Sequence, residues 1–108
     1  MASVAQKAGD RPRARKLYEA ALAKNPRDAE ALAGLGDLAR AEGRSTDAIG
    51  YYQRALAISP SFFPALLSLG DTLWDTGDKD AARKRYADIV DRAPSGSYPA
   101  RVRDRATP

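Results

Sequence analysis

The stretch LAGLGDLARAEGRSTDAIGYYQRALAISP, residues 32–60, decides the fold of this 108-residue chain. Leu32, Leu35 and Ala39 recur at helical spacing, and after a break Ala48, Tyr52, Ala55 and Leu56 do the same. Asp28 stands where an N-cap belongs. Gly43 lies at the break, where a left-handed backbone carries no Cβ penalty. Pro60 ends the second run, because proline lacks the N–H and restricts the residue before it. The stretch therefore predicts a helix–turn–helix hairpin. One hairpin cannot bury its own apolar stripe, so a neighbour must supply the rest of the core.

The neighbours are written into the chain. Gly9, Gly43 and Gly77 stand 34 residues apart, as do Ala14, Ala48 and Ala82. Tyr18, Tyr52 and Tyr86 keep the same interval, and so do Pro26, Pro60 and Pro94. Leu22, Leu56 and Val90 follow it, with the pairs Leu32/Leu66, Leu35/Leu69, Gly36/Gly70 and Asp37/Asp71. Four residue types holding one period through three copies mark an internal repeat. The later copy predicts a helix capped by Ser61 and ending at Gly77, then a second from Asp78 to Arg92. Gly36 and Gly70 are expected to let each first helix approach its partner near Ala48 and Ala82. Abundant alanine, the best helix former, agrees with an all-α chain.

The pattern resembles the tetratricopeptide repeat (TPR) family: Leu32, Leu35-Gly36, Ala48, Tyr52 and Pro60, then Leu66, Leu69-Gly70, Ala82, Tyr86 and Pro94. The resemblance implies antiparallel helix–turn–helix repeats stacked as a short right-handed α-solenoid. Residues 1–96 would form the repeat domain, with a partial repeat over 1–28 and complete repeats over 29–62 and 63–96. In the partial repeat only about Ala2 to Ala8 remains of the first helix, while the second spans Arg11 to Lys24. The chain thus reads as the C-terminal part of a longer array, the alternative being a small protein with a degenerate first repeat. Leu17, Ala21 and Leu22 would then be partly uncovered and invite self-association. Residues 97–108 leave the repeat pattern and suggest a short capping helix. Tyr98 and Val102 would cover the last repeat, the arginines would point outward and Ala106 to Pro108 would fray.

Members of the family bind segments of other proteins in a groove lined by the first helix of each repeat. Carried onto this chain, the groove strip comprises Glu30, Ala33, Asp37 and Arg40 from one repeat, and Leu67, Asp71, Trp74 and Asp75 from the next. Ala41 flanks it. Its acids would favour a basic or amphipathic peptide or helix, the rival reading being plain helix solubility. The subclass that clamps acidic chaperone tails carries lysine, arginine and asparagine here, whereas this chain has Ala33, Asp37, Leu67 and Asp71. Trp74, the sole tryptophan, reads as a binding hot spot or as a ring folded over the helix end, against Leu67 or the capping helix, and the two roles are not exclusive.

Composition narrows the alternatives. There is no cysteine and no histidine, which removes thiolate chemistry, the commonest zinc ligands and the usual general base. DTGDKDAA, residues 75–82, lacks the spacing and closing glutamate of a calcium loop. Leu-Gly-Asp is not followed by a phosphate-binding Gly-Lys-Ser/Thr. A non-catalytic module without cofactor is expected. The net charge of +4 is concentrated at the ends: +4 over residues 1–28, −1 in each complete repeat and +2 over 97–108. Arg11, Arg13, Arg15 and Lys16 could touch nucleic acid, but no aromatic residues interleave them, and a solvated helix face explains them. No apolar run could span a bilayer and no signal peptide is evident, so a cytoplasmic location without membrane insertion is expected.

Overall fold

The computed structural model describes residues 10–107 and contains, among them, six helices and no strand. They are α1 (Arg11–Lys24), α2 (Ala29–Ala41), α3 (Ser45–Ile58), α4 (Phe63–Asp75), α5 (Lys79–Arg92) and α6 (Ala100–Ala106). The expected helix remnant at Ala2 to Ala8, Gly9 and the terminal Pro108 lie outside the described residues. Helices α2 and α3 form one antiparallel hairpin and α4 and α5 the next, with α1 against α2 and α6 against α5. The chain is an all-α helical-repeat solenoid.

The hairpin turns follow from two glycines. Gly43 and Gly77 have φ of 78° and 95°, a region that residues with a Cβ rarely adopt. Arg44 N–H then reaches back to the Ala39 carbonyl at 2.8 Å, and Asp78 N–H to that of Leu73 at 2.9 Å. These are Schellman closures, which satisfy carbonyls the helix end would otherwise leave bare. At the N-termini, Asp28 and Asp78 carboxylates accept from Ala31 and Ala81 N–H. The expected Ser61 cap is corrected. Helix α4 starts after Phe62 with Pro64 in its first turn and no side-chain cap, and Ser61 Oγ instead accepts from Arg92 Nη2 at 2.7 Å.

Between the helices the core is built on tyrosine. Tyr52 and Tyr86 are fully buried, in clusters with Leu32, Ala48, Ala55 and Leu69, and with Leu66, Ala82, Ile89 and Val102 respectively. Leu56 and Leu73 are half-buried and touch both clusters, so they join the hairpins. The role expected for the helix glycines changes in detail. A Cβ on Gly36 would lie 2.6 Å from the Tyr52 ring, and one on Gly70 would lie 3.0 Å from the Tyr86 ring. The glycines seat the tyrosine, one turn beyond the alanines where the approach was expected. A Cβ on Gly34 would meet the ring of Tyr18 on α1 in the same way.

These contacts rank substitutions. Gly36→Ala gains helix propensity but drives a methyl into a ring with nowhere to go, and should destabilise the fold by about 1–3 kcal/mol. Gly34→Ala should cost less despite its closer approach, because Tyr18 is only half-buried and can swing out. Gly50→Ala, with open space around it, should stabilise by about 0.5–1 kcal/mol. Urea denaturation of the three variants tests the order.

Candidate functional site

The first helix of each hairpin supplies the strip. Helix α2 is buried continuously from Ala31 to Ala39 except at Asp37, which is exposed. Ala33 is 8% exposed and packs in the core, so it offers little surface, while Glu30 is exposed. Arg40 Nη2 donates to Asp75 Oδ2 at 3.0 Å, joining α2 to α4 across the strip. Both partners are well solvated, so the pair contributes at most about 1 kcal/mol. Leu67 is half-buried against the cluster that holds Tyr86 and Val102 and, with Phe63, Ile89 and Tyr98, lines an apolar cleft of about 380 Å³.

Asp71 sits in a different setting from Asp37. It is 7% exposed and receives Arg101 in bidentate fashion, Nε to Oδ1 at 3.1 Å and Nη2 to Oδ2 at 2.7 Å. Tyr86 donates its hydroxyl to Oδ1 at 2.5 Å, and Arg105 Nη1 donates to that hydroxyl at 3.0 Å. Arg105 Nη1 also lies 3.6 Å from Oδ1. The expectation that the capping-helix arginines point outward is therefore corrected for two of three. The unpaired charge of a sequestered carboxylate draws them in, and only Arg103 turns away, onto the Tyr98 hydroxyl.

Trp74 belongs to the same assembly. Its ring is half-buried, edge-on to Tyr86 at 6.2 Å, with the Arg105 guanidinium 4.6 Å and the Lys79 ammonium 4.9 Å from its centroid. Trp74 thus packs against α6, a contact that does not exclude a binding role. Arg101 and Arg105 were missed as strip residues, though the signal was present: they follow Leu67 and Asp71 by the repeat interval of 34. Val102 likewise follows Ser68 and Gly34, and is fully buried in the Tyr86 cluster. Helix α6 thus stands in the register of a further first helix.

The two aspartates titrate in opposite directions. Burial pushes the Asp71 carboxyl up, but the hydrogen bonds from Arg101 and Tyr86 and the charges of Arg101 and Arg40 outweigh it, so it lies below the usual range. Desolvation also raises Asp37, although one edge meets solvent, and the Tyr52 hydrogen bond with the Arg40 charge does not offset it. Tyr86 is pushed up to about 12 by burial and its bond to Asp71. Tyr52 is raised for the same two reasons.

At the other end the basic cluster is partly engaged. Arg15 pairs with Glu42 at the end of α2, and Arg13 with Asp10, while Arg11 and Lys16 are exposed. Among the described residues no group of histidine, cysteine or acidic side chains is placed to hold a metal ion, and no helix is long and apolar enough to cross a membrane.

Tetratricopeptide repeat family profiles match residues 1–61 and 39–105, and the chain belongs to that family. Such repeats are typically non-catalytic modules, and the chain is a scaffold for protein–protein interaction. Two solved structures, both crystal structures of MamA, share the fold at 23% identity. One has a TM-score of 0.69 over 81% of this chain and 51% of that chain, the other 0.72 over 91% and 57%. The chain spans about half the length of these structures. No curated sequence matches it.

The opposite titrations give a signed prediction. The depressed Asp71 contributes stability that is present above the ordinary carboxylate range and lost as pH falls through its folded value. The raised Asp37 carries a penalty when ionised, which disappears as pH falls below its unfolded value. Asp71→Asn should therefore destabilise by about 1–2 kcal/mol at pH 7, with the gap to wild type closing in acid. Asp37→Asn should be neutral or stabilising at pH 7. Denaturant midpoints from pH 7 to pH 3 check both.

Proposed function

We propose that the chain binds a peptide or helix of a partner protein along the strip formed by α2 and α4, with Glu30, Ala33, Asp37, Arg40, Leu67, Asp71, Trp74 and Asp75 as its frame. The supporting observation is helix α6 itself. Packed on α5, it reaches α4 through its side chains, delivering two arginines to Asp71 and contacting Trp74, so the last hairpin already carries the kind of load proposed for the strip. Asp71 and Trp74 are engaged within the chain and the exposed Asp75 is paired with Arg40, which leaves Glu30 and Asp37 as the exposed strip acids that enter no ion pair among the described residues. Their charge favours a basic or amphipathic segment.

Selection from a random peptide library on the intact chain tests this reading. Peptides selected on wild type should lose binding to the Glu30→Lys, Asp37→Lys double variant and keep it with Asp47→Lys, an exposed change on α3. Equal binding to all three would refute the strip.

A second reading is favoured by Leu17, the one large hydrophobic residue exposed among those described, at 44% on α1. Self-association through this helix predicts a molar mass in light scattering that rises with concentration and falls back to that of one chain in Leu17→Glu. A constant monomer mass in wild type excludes it.

A further inference from the structure

The two complete hairpins carry the same three-residue device, and only one copy is filled. In each, a tyrosine seated on a helix glycine donates its hydroxyl at 2.5 Å to the aspartate that follows the glycine: Tyr52 to Asp37, Tyr86 to Asp71. At Asp71 the other carboxylate positions are taken by the planar fork of Arg101. At Asp37 they are not. Among the described residues Asp37 enters no ion pair, and the nearby Arg40 directs its guanidinium to Asp75. The residues one repeat before Arg101 and Arg105 are Leu67 and Asp71, neither of which can donate a hydrogen bond as an ion.

From this internal comparison we infer that Asp37, backed by the Tyr52 hydroxyl, is a receptor for an arginine side chain supplied by the partner. The chemistry is read from the filled copy. A carboxylate with one oxygen already holding a tyrosine hydroxyl presents two parallel acceptor directions, which match the two N–H groups along one edge of a guanidinium. An ammonium makes single, undirected bonds and does not fill both. Asp37 is exposed where Asp71 is covered, so an incoming arginine can reach it without displacing any part of the chain. Desolvation already raises the Asp37 carboxyl, and a guanidinium would reverse that shift, as Arg101 does at Asp71. The inference rests on the strip being the partner-binding surface and specifies what the partner must carry.

Carbon-13 NMR of aspartate carboxyls in the full chain tests it, with acetyl-arginine amide and acetyl-lysine amide as millimolar probes. The arginine probe should shift the Asp37 carboxyl and the Tyr52 ring saturably, with the lysine probe about tenfold weaker. The Asp71 carboxyl should stay still in wild type and begin to respond in Arg101→Gln. Silence at Asp37, or an equal response to lysine, overturns the proposal. A folded Asp37→Asn chain that responds unchanged at the Tyr52 ring also overturns it. Library-selected peptides separate this inference from the reading beneath it. If replacing their arginines by lysine leaves strip binding unchanged, the arginine site falls and the strip stands. If the arginine probe binds at Asp37 while no peptide binds the strip, the site stands and the strip falls.

Discussion

Each hairpin hangs on a tyrosine ring wedged against a glycine of the opposing helix, and most of the remaining structure is arranged around that contact. The ring of Tyr52 leaves no room for even a methyl on Gly36, so it sets the separation of α2 and α3. Its hydroxyl cannot be buried unpaired, and the adjacent aspartate meets the need. The glycine must be one residue from the aspartate for one side chain to reach both. A packing constraint in the core therefore fixes a carboxylate on the strip, and the Tyr86, Gly70 and Asp71 set repeats it.

Helix α6 follows the pattern of the array. Helix α6 occupies the place of a next first helix, with Val102 where the earlier hairpins have Ser68 and Gly34. It is only seven residues long, too short to be stable by itself, so its hold on the last hairpin depends on side chains. Val102 inserts into the Tyr86 cluster, Arg101 pairs with Asp71, and Arg105 spans Tyr86 and Trp74. The desolvated Asp71 carboxylate makes that electrostatic clasp worth more than the surface pair of Arg40 with Asp75, where water screens both charges. The consequence is a strip of uneven character, closed toward α6 and accessible at Asp37.

The repeat interval, the helix limits near Gly43 and Gly77, the buried faces around Leu32, Leu66, Tyr52 and Tyr86, and the short final helix were all legible in the sequence. Local rules decide them: apolar spacing, a glycine where φ must be positive, a proline where a helix must stop, and copies that confirm one another. Ser61 was misread because a serine before an apolar run satisfies the same rule whether or not its hydroxyl turns to the helix. Arg92, distant in sequence, won that hydroxyl.

For the strip, sequence determined which residues share a helix face, and tertiary structure decided what each meets. Asp37 and Asp71 are equivalent by every local criterion, yet one is exposed and the other clasped by arginine. The same holds for Trp74, whose ring is approached by Arg105 and Lys79 from different helices. Periodicity reports the direction of a side chain from its own axis. Whether that direction leads to solvent, a ring or an opposite charge depends on elements brought up by folding, and here the deciding element is α6. The fold was thus set by short-range rules repeated three times, and the charge and accessibility of the strip by one long-range contact made once.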